Sequence, residues 1–387
     1  MNLRADWSYP TAVRFGAGRI AELADACRAA GIERPLLSTD PTVAALPIAA
    51  RARETLAEAG LGDASFSDVK PNPTGANVAA GLEVLREGGH DGVVAFGGGS
   101  ALDAGKVIAF MAGQTRPVWD FEDIGDWWTR ADSDGILPVV AVPTTAGTGS
   151  ELGRAGVITN EDDHVKKIVF HPKMMPAVVI MDPELTVGLP PAVTAGTGFD
   201  AFVHCLEAWC APSFHPMSAG IALEGMRLVD TYLPRAFENG TDIEARAHML
   251  AAAGMGAVAF QKGLGGIHAL SHPVGALHDT PHGTTNAMFT PYVLAANRAA
   301  IEGKIETVAR TLGVVGGFEG FLRHLLERRA ALGIPDTLGA LGVESPDVSR
   351  LARMAVEDPS AGGNPVPMSV EGCERMLEAA VQGRMNA

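Results

Sequence analysis

Over the first half of the chain, short apolar runs alternate with stretches of helical periodicity. Pro35–Asp40 reads as a strand leading into a loop, Gly92–Phe96 as a second strand, Leu137–Pro143 as a third and Ala177–Asp182 as the last clear one. This βαβ rhythm predicts a largely parallel sheet covered by helices. After the proline-rich stretch Asp182–Pro191 the pattern changes to long Ala-rich helical segments with almost no strand signal. The expected organisation is an α/β domain over 1–184 and an all-helical domain over 185–387. Met249–Phe260 reads as a buried helix, since it falls well short of the roughly 20 residues that span a bilayer. Phe321, Leu322, Leu325 and Leu326 continue the helical period and are expected in the core.

A length of 387 residues fits two domains, each able to bury its own core. Hydrophobic content of 47% with 19% charged residues marks a globular protein. The formal charge of −15 argues against nucleic acid or an anionic membrane as partner, and an anionic substrate would need a local basic group. Met1–Asp6 carries no apolar stretch of the secretory type, so a cytoplasmic protein is expected. Cys27, Cys205, Cys210 and Cys373 have no CxxC spacing and suit reduced, buried thiols.

Candidate chemistry gathers in the second half. His268, His272, His278 and His282 fall close together, and Asp200 and His204 stand four apart upstream, on one face of a helix. His268 and His272 repeat that spacing. The turn signal Asp279-Thr280-Pro281 can swing His282 back toward His268. Three imidazoles and a carboxylate suit a borderline divalent ion, Zn²⁺ or Fe²⁺. His90, His164, His215, His248 and His324 lack such company and are assigned to packing or capping.

In the first half, the strand ending at Phe96 runs into Gly97, Gly98, Gly99 and Ser100 and then into a helix. Glycines there let the backbone approach a diphosphate, and the helix start offers free N–H groups. The arrangement is not the GxGxxG fingerprint, and the candidate ribose-binding acid, Asp40, precedes the loop instead of following it. The polar loops Pro71–Thr74 and Pro143–Glu151 follow apparent strands and are expected at the same carboxyl edge of the sheet.

These segments together (PNPT at 71, GGGS at 97, PTTAGTGSE at 143, DPELT at 182, GFDAFVHCLEAW at 198 and HALSHPVGALHDTPHG at 268) resemble the iron-containing (group III) alcohol dehydrogenase family, in the family's order and over nearly the whole chain. The resemblance implies the dehydroquinate synthase-like architecture: an N-terminal NAD(P)-binding domain, a helical domain holding one divalent metal, Fe²⁺ being favoured, and an active site between them. It carries the metal ligands to Asp200, His204, His268 and His282. It puts Gly97, Gly98, Gly99 and Ser100 on the pyrophosphate loop, Thr144, Thr145 and Leu185 on the adenosine side, and Asn72 and Lys166 along the cofactor. Asp40 matches the carboxylate that binds the ribose 2′-hydroxyl, which favours NAD over NADP. Relatives imply a homodimer or larger assembly.

The implied reaction interconverts a short primary alcohol and its aldehyde. A dication at the hydroxyl lowers its pKa, and the nicotinamide exchanges the hydride. By the same resemblance His272 lies near the substrate, where an imidazole can relay the proton to solvent, and His278 lines the site or assists. Lys262 brings a cation into a segment often neutral in relatives. The hypothesis is that it faces the substrate pocket and pairs with a carboxylate, sulfonate or phosphonate tail. Val366, in Asn364–Pro367, replaces a residue frequently basic in relatives. Phe121, Trp127 and Trp128 are candidate walls of the site. Two other readings compete: a dehydroquinate synthase-like lyase using NAD and metal transiently, and a metal- or nucleotide-binding protein without turnover.

Overall fold

The continuous apolar runs become the interior of a parallel sheet. A computed structural model describes residues 11–163, 165–343 and 346–384, so the Met1–Asp6 segment and His164 discussed above lie outside it. In chain order the first elements are β1 (Ala12–Phe15), α1 (Leu23–Ala29), β2 (Pro35–Ser38), α2 (Pro41–Ala44), α3 (Pro47–Glu58), β3 (Ser65–Phe66), α4 (Gly75–Glu87), β4 (Gly92–Gly97), α5 (Gly99–Met111), β5 (Val139–Pro143), β6 (Ala155–Asn160), β7 (Val165–Phe170) and β8 (Val178–Met181). The main sheet runs β1-β8-β5-β4-β2-β3 with every pairing parallel. β2, β4, β5 and β8 are buried along their whole length, as expected of strands covered on both faces. Ile20, Leu23 and Leu56 pack against Phe96, Val140 and Ile180 on one side of it.

The sequence pattern missed β1, β3 and the antiparallel pair β6–β7. β1 is largely exposed and β3 has two residues, so neither shows an apolar run. β6 alternates buried and half-buried positions and pairs with β7 in a two-stranded sheet apart from the main one.

The helical segment comprises α6 (Pro191–Cys210), α7 (Pro216–Glu238), α8 (Ile243–Ala259), α9 (Gly266–His278), α10 (His282–Leu312), α11 (Gly317–Ala331), α12 (Val348–Glu357) and α13 (Val370–Gln382). α6 begins with a proline at its first position, where the missing N–H costs nothing, and is buried almost throughout by α7, α8 and α10. Phe321, Leu322 and Leu325 of α11 are buried. The chain forms two compact units. One runs to Thr145 and resumes over Gly149–Gly188, and the other takes Ala146–Thr148 and continues from Leu189. Among the described residues no helix is long and apolar enough to cross a membrane.

Candidate metal centre and cofactor loops

Within the helical unit, α6 presents Asp200 and His204 one turn apart, and α9 carries His268. Asp279 then adopts a left-handed φ of 53°, ending α9, and Pro281 precedes His282 at the first position of α10. That stop and restart brings His282 back to the other three. The Nε2 atoms of His282, His268 and His204 lie 3.6, 3.9 and 4.0 Å from a single oxygen, Asp200 Oδ1. Donor atoms of Asp200, His204 and His268 all fall within 4.8 Å of one another, and all three residues are buried. Gly283 permits this approach: a Cβ there would lie 2.2 Å from the Gly196 carbonyl oxygen and 3.0 Å from Asp200 Cβ.

The donor set fits a divalent metal. Burial pushes His204 down to about 4, so the ring is neutral and able to donate a lone pair. Burial also lowers His268, but the charge and hydrogen bond of Glu207, with Asp200 and Asp358, outweigh it and the net shift is upward. Glu207 is a residue that sequence reasoning missed. Its Oε2 accepts from His268 Nδ1 at 2.6 Å and its Oε1 from the Ile267 amide at 2.7 Å. The bond fixes the His268 tautomer with Nε2 toward the other donors, the carboxylate–histidine pairing common around metals. Glu207 follows Asp200 and His204 at helical spacing, so the signal was present in the sequence.

Two further polar residues went unseen. Asp358, just after α12, receives the Nδ1–H of His272 at 2.8 Å. Asn286, one turn into α10, directs its amide nitrogen at Asp200, His268 and His282. His272 stacks on His282 with ring centroids 5.4 Å apart and meets His268 edge-on at 5.7 Å. His278 is exposed at the end of α9, and none of the ring contacts joining the other histidines includes it.

Lys262 corrects the sequence reading. Its ammonium group is buried and donates to the carbonyls of Ala208, Trp209 and Ala211 at the C-terminus of α6, so it holds a helix end instead of facing a substrate anion. Lys304 joins it on Cys210 and Ala211. Cationic groups are favoured there by unpaired carbonyls and the helix dipole. Asn364 pairs reciprocally with Asn297 and accepts from the Gly266 amide at the start of α9. Cys205 and Cys210 are buried, and burial raises both thiols to about 12, which leaves them inert. The remaining described histidines are satisfied elsewhere: His90 by the Arg34 carbonyl, His171 by the Lys173 amide, His215 as the cap of α7, His248 against Tyr232 and His324 by Asp230.

In the sheet unit, β2 and β4 are neighbours and end side by side. Gly97 has φ 141°, and a Cβ there would strike Ala101 Cβ at 2.8 Å and sit 3.5 Å from Asp40 Oδ2 and Thr39 Oγ1. Thr144 donates its amide to the Gly97 carbonyl at 2.9 Å, and Thr145 lies against Gly98. Gly99 opens α5, and Ser100 donates its hydroxyl to the Pro71 carbonyl, tying Asn72's loop to the glycine loop. Asp40 caps α2, accepting from the Thr42 and Val43 amides at 2.9 Å each. The hydroxyls of Ser38 and Thr39 are buried without a hydrogen-bond partner. A cradle of glycine backbone, a helix start and orphaned hydroxyls beside a carboxylate fits a dinucleotide. One turn further along α5, Asp103 accepts from Ser150 Oγ and the Val157 amide, while Lys106 donates to the Ser150 and Ala155 carbonyls.

Lys166 sits on β7 opposite Thr159, whereas Lys167 pairs with Glu122 and Asp163. Leu185 is packed into the core with Ile20 and Leu23, so in this structure its side chain serves packing. Phe121 is buried edge-on against Phe110, Trp128 packs on Phe170 and His171, and Trp127 lies under Arg130. Packing therefore accounts for all three aromatics.

The family model for the iron-containing alcohol dehydrogenase matches residues 10–183, and that for the C-terminal part of the Fe-containing alcohol dehydrogenase family matches residues 194–381. The chain is 37% identical to a 4-hydroxybutyrate dehydrogenase of Cupriavidus necator over 96% of its own length and 99% of the relative's. It is 33% identical to an NAD-dependent methanol dehydrogenase of Bacillus methanolicus, covering 96% and 98%. The solved structure of a 1,3-propanediol oxidoreductase superposes with a TM-score of 0.92 at 33% identity, covering 97% and 99%.

Proposed function

Because the chain belongs to the iron-containing alcohol dehydrogenase family, it is an NAD-dependent, metal-requiring oxidoreductase of alcohols and aldehydes, and we propose that its substrate is a short primary alcohol and the corresponding aldehyde. The observation that carries the site assignment is the convergence of three imidazole nitrogens on one buried carboxylate oxygen. In this reading Asp200, His204, His268 and His282 hold the metal, Fe²⁺ being favoured. Gly97, Gly98, Gly99, Ser100, Thr144, Thr145, Asn72, Lys166 and Asp40 hold NAD. When bound, the metal supplies Lewis acidity toward the hydroxyl and NAD accepts or returns the hydride.

The chain's own residues do the rest. Glu207 orients His268. Asp358 fixes His272 with Nδ1 as donor and Nε2 as acceptor, the form suited to taking up the hydroxyl proton. His278 is assigned to the exposed margin of the site. The protein is further proposed to be cytoplasmic and a homodimer or larger assembly, on the resemblance to its family.

A second reading, an ω-hydroxy acid or semialdehyde as substrate, is favoured by the similarity to 4-hydroxybutyrate dehydrogenase. Lys262 no longer supports it, being committed to α6 carbonyls. The deciding experiment is NADH oxidation by anaerobically iron-loaded protein with butyraldehyde and succinic semialdehyde at equal concentrations. Equal or better turnover of butyraldehyde supports the neutral short-chain reading, and a strong preference for the semialdehyde replaces it with the acid-tail one. Absence of NADH oxidation with both would sink the proposed substrates and return attention to the lyase.

A further inference from the structure

Asn286 is fully buried, and its side chain reaches into the middle of the donor set. Its Nδ2 lies 2.7 Å from Asp200 Oδ1, 3.1 Å from His282 Nε2 and 3.2 Å from His268 Nε2. These acceptors come from α6, α10 and α9, so one amide nitrogen touches donor atoms from three helices. The orientation of the amide is dictated. Ser271 donates its hydroxyl to Asn286 Oδ1, and the flipped amide would set a carbonyl oxygen against the Asp200 carboxylate. Only the nitrogen can face the carboxylate.

We propose that Asn286 is a positioning residue for the metal centre, gathering Asp200, His268 and His282 so that their donor atoms are assembled before a cation arrives. The inference rests on the reading of Asp200, His204, His268 and His282 as the metal set. Asp200 is 2% exposed, and a buried carboxylate without a partner is costly, so the amide hydrogen bond is the strongest of the three contacts and is charge-assisted. A carboxylate oxygen has lone pairs to spare, so accepting from Asn286 does not prevent it from binding metal as well. Each imidazole Nε2 has one lone pair, so the contacts to His268 and His282 hold the rings in place until a cation takes those lone pairs, while the bond to Asp200 persists. Residues that orient ligands in this way typically change metal affinity by about 10–100-fold when replaced.

The test is Zn²⁺ affinity of chelator-stripped protein, measured by competition with a chromogenic chelator, for the parent, Asn286→Ala, Ser271→Ala and His268→Ala. Thermal melts of the stripped proteins check that each is folded. The expected result is a Zn²⁺ Kd raised about 10–100-fold in Asn286→Ala, a smaller rise in Ser271→Ala, and the loss of tight binding in His268→Ala. Unchanged affinity in Asn286→Ala alongside loss in His268→Ala would overturn the positioning role and leave the ligand set standing. Parent-like affinity in His268→Ala would overturn the ligand set and the inference with it. If Asn286→Ala fails to fold, unchanged affinity in Ser271→Ala overturns the proposal and a raised Kd supports it.

Discussion

Asp358 Oδ2 accepts the Nδ1–H of His272 at 2.8 Å across 86 residues of sequence, while its Oδ1 caps the following turn through the Ser360 amide. The carboxylate is therefore held by backbone and holds the imidazole in turn. A ring fixed at one nitrogen presents the other in a single direction, as a proton acceptor must be presented. His272→Ala is expected to lower kcat by about 10²-fold with the metal content unchanged. Asp358→Asn is expected to lower it less, also without metal loss, because the amide oxygen can still accept the Nδ1–H and keep Nε2 as the acceptor. Steady-state kinetics with metal analysis on the same preparations checks both, and loss of metal in either variant would contradict the assignment.

Lys262→Met should act on stability and leave substrate choice alone. The substitution leaves the Ala208 and Trp209 carbonyls short of a donor, for a cost of about 1–3 kcal/mol. A lowered Tm with an unchanged ratio of activity toward succinic semialdehyde and butyraldehyde is the expected outcome.

Asp40→Ser separates the cap of α2 from the ribose contact proposed for Asp40. Serine keeps an oxygen for the Thr42 and Val43 amides and so preserves the cap of α2. It removes the negative charge that would repel a 2′-phosphate. The KM for NADP⁺ should fall by about 10-fold or more, equivalent to about 1.4 kcal/mol, while the melting temperature stays close to the parent's.

Glu151 gives the fold a pH dependence. It is 1% exposed, and burial pushes its carboxyl up from 4.5 to about 7, against the lowering influence of Lys106. Between those values the folded protein holds a proton that the unfolded chain has released. The stabilisation is thus complete below 4.5 and disappears as the pH rises through about 7. Glu151→Gln should be more stable than the parent at pH 8, by up to about 3 kcal/mol, and should show a flatter Tm profile from mildly acidic to mildly alkaline pH. Parallel profiles for the two proteins would refute it.

What could be read from the chain alone follows from how each feature is encoded. Asp200 and His204 are visible because helical spacing is local, and His282 because Asp279-Thr280-Pro281 spells a helix stop and restart. Glu207 continues the Asp200–His204 spacing and needed only one more step of the same argument. Asp358 and Asn286 gave no such signal. Asp358 meets His272 only through the packing of α12 beside α9, and an asparagine within a helix is ordinarily unremarked. The Lys262 expectation failed for a related reason: the carbonyls it satisfies lie more than fifty residues earlier, at a helix end that no local pattern connects to it. The glycine loop was legible because Gly97 needs both a positive φ and a close neighbour, whereas β1 and the β6–β7 pair lack the apolar runs that mark the central strands.

The polar face of α6 also constrains how the protein matures. Asp200, His204 and Glu207 leave the ribosome before any of α9 or α10 exists, and their partners His268, Asn286 and His282 come from those later helices. Until α10 has been made and packed, α6 exposes a carboxylate, an imidazole and a second carboxylate on a helix otherwise destined for the interior. With these residues as the proposed metal set, capture of the ion at full affinity is a late event in biogenesis that waits on α10.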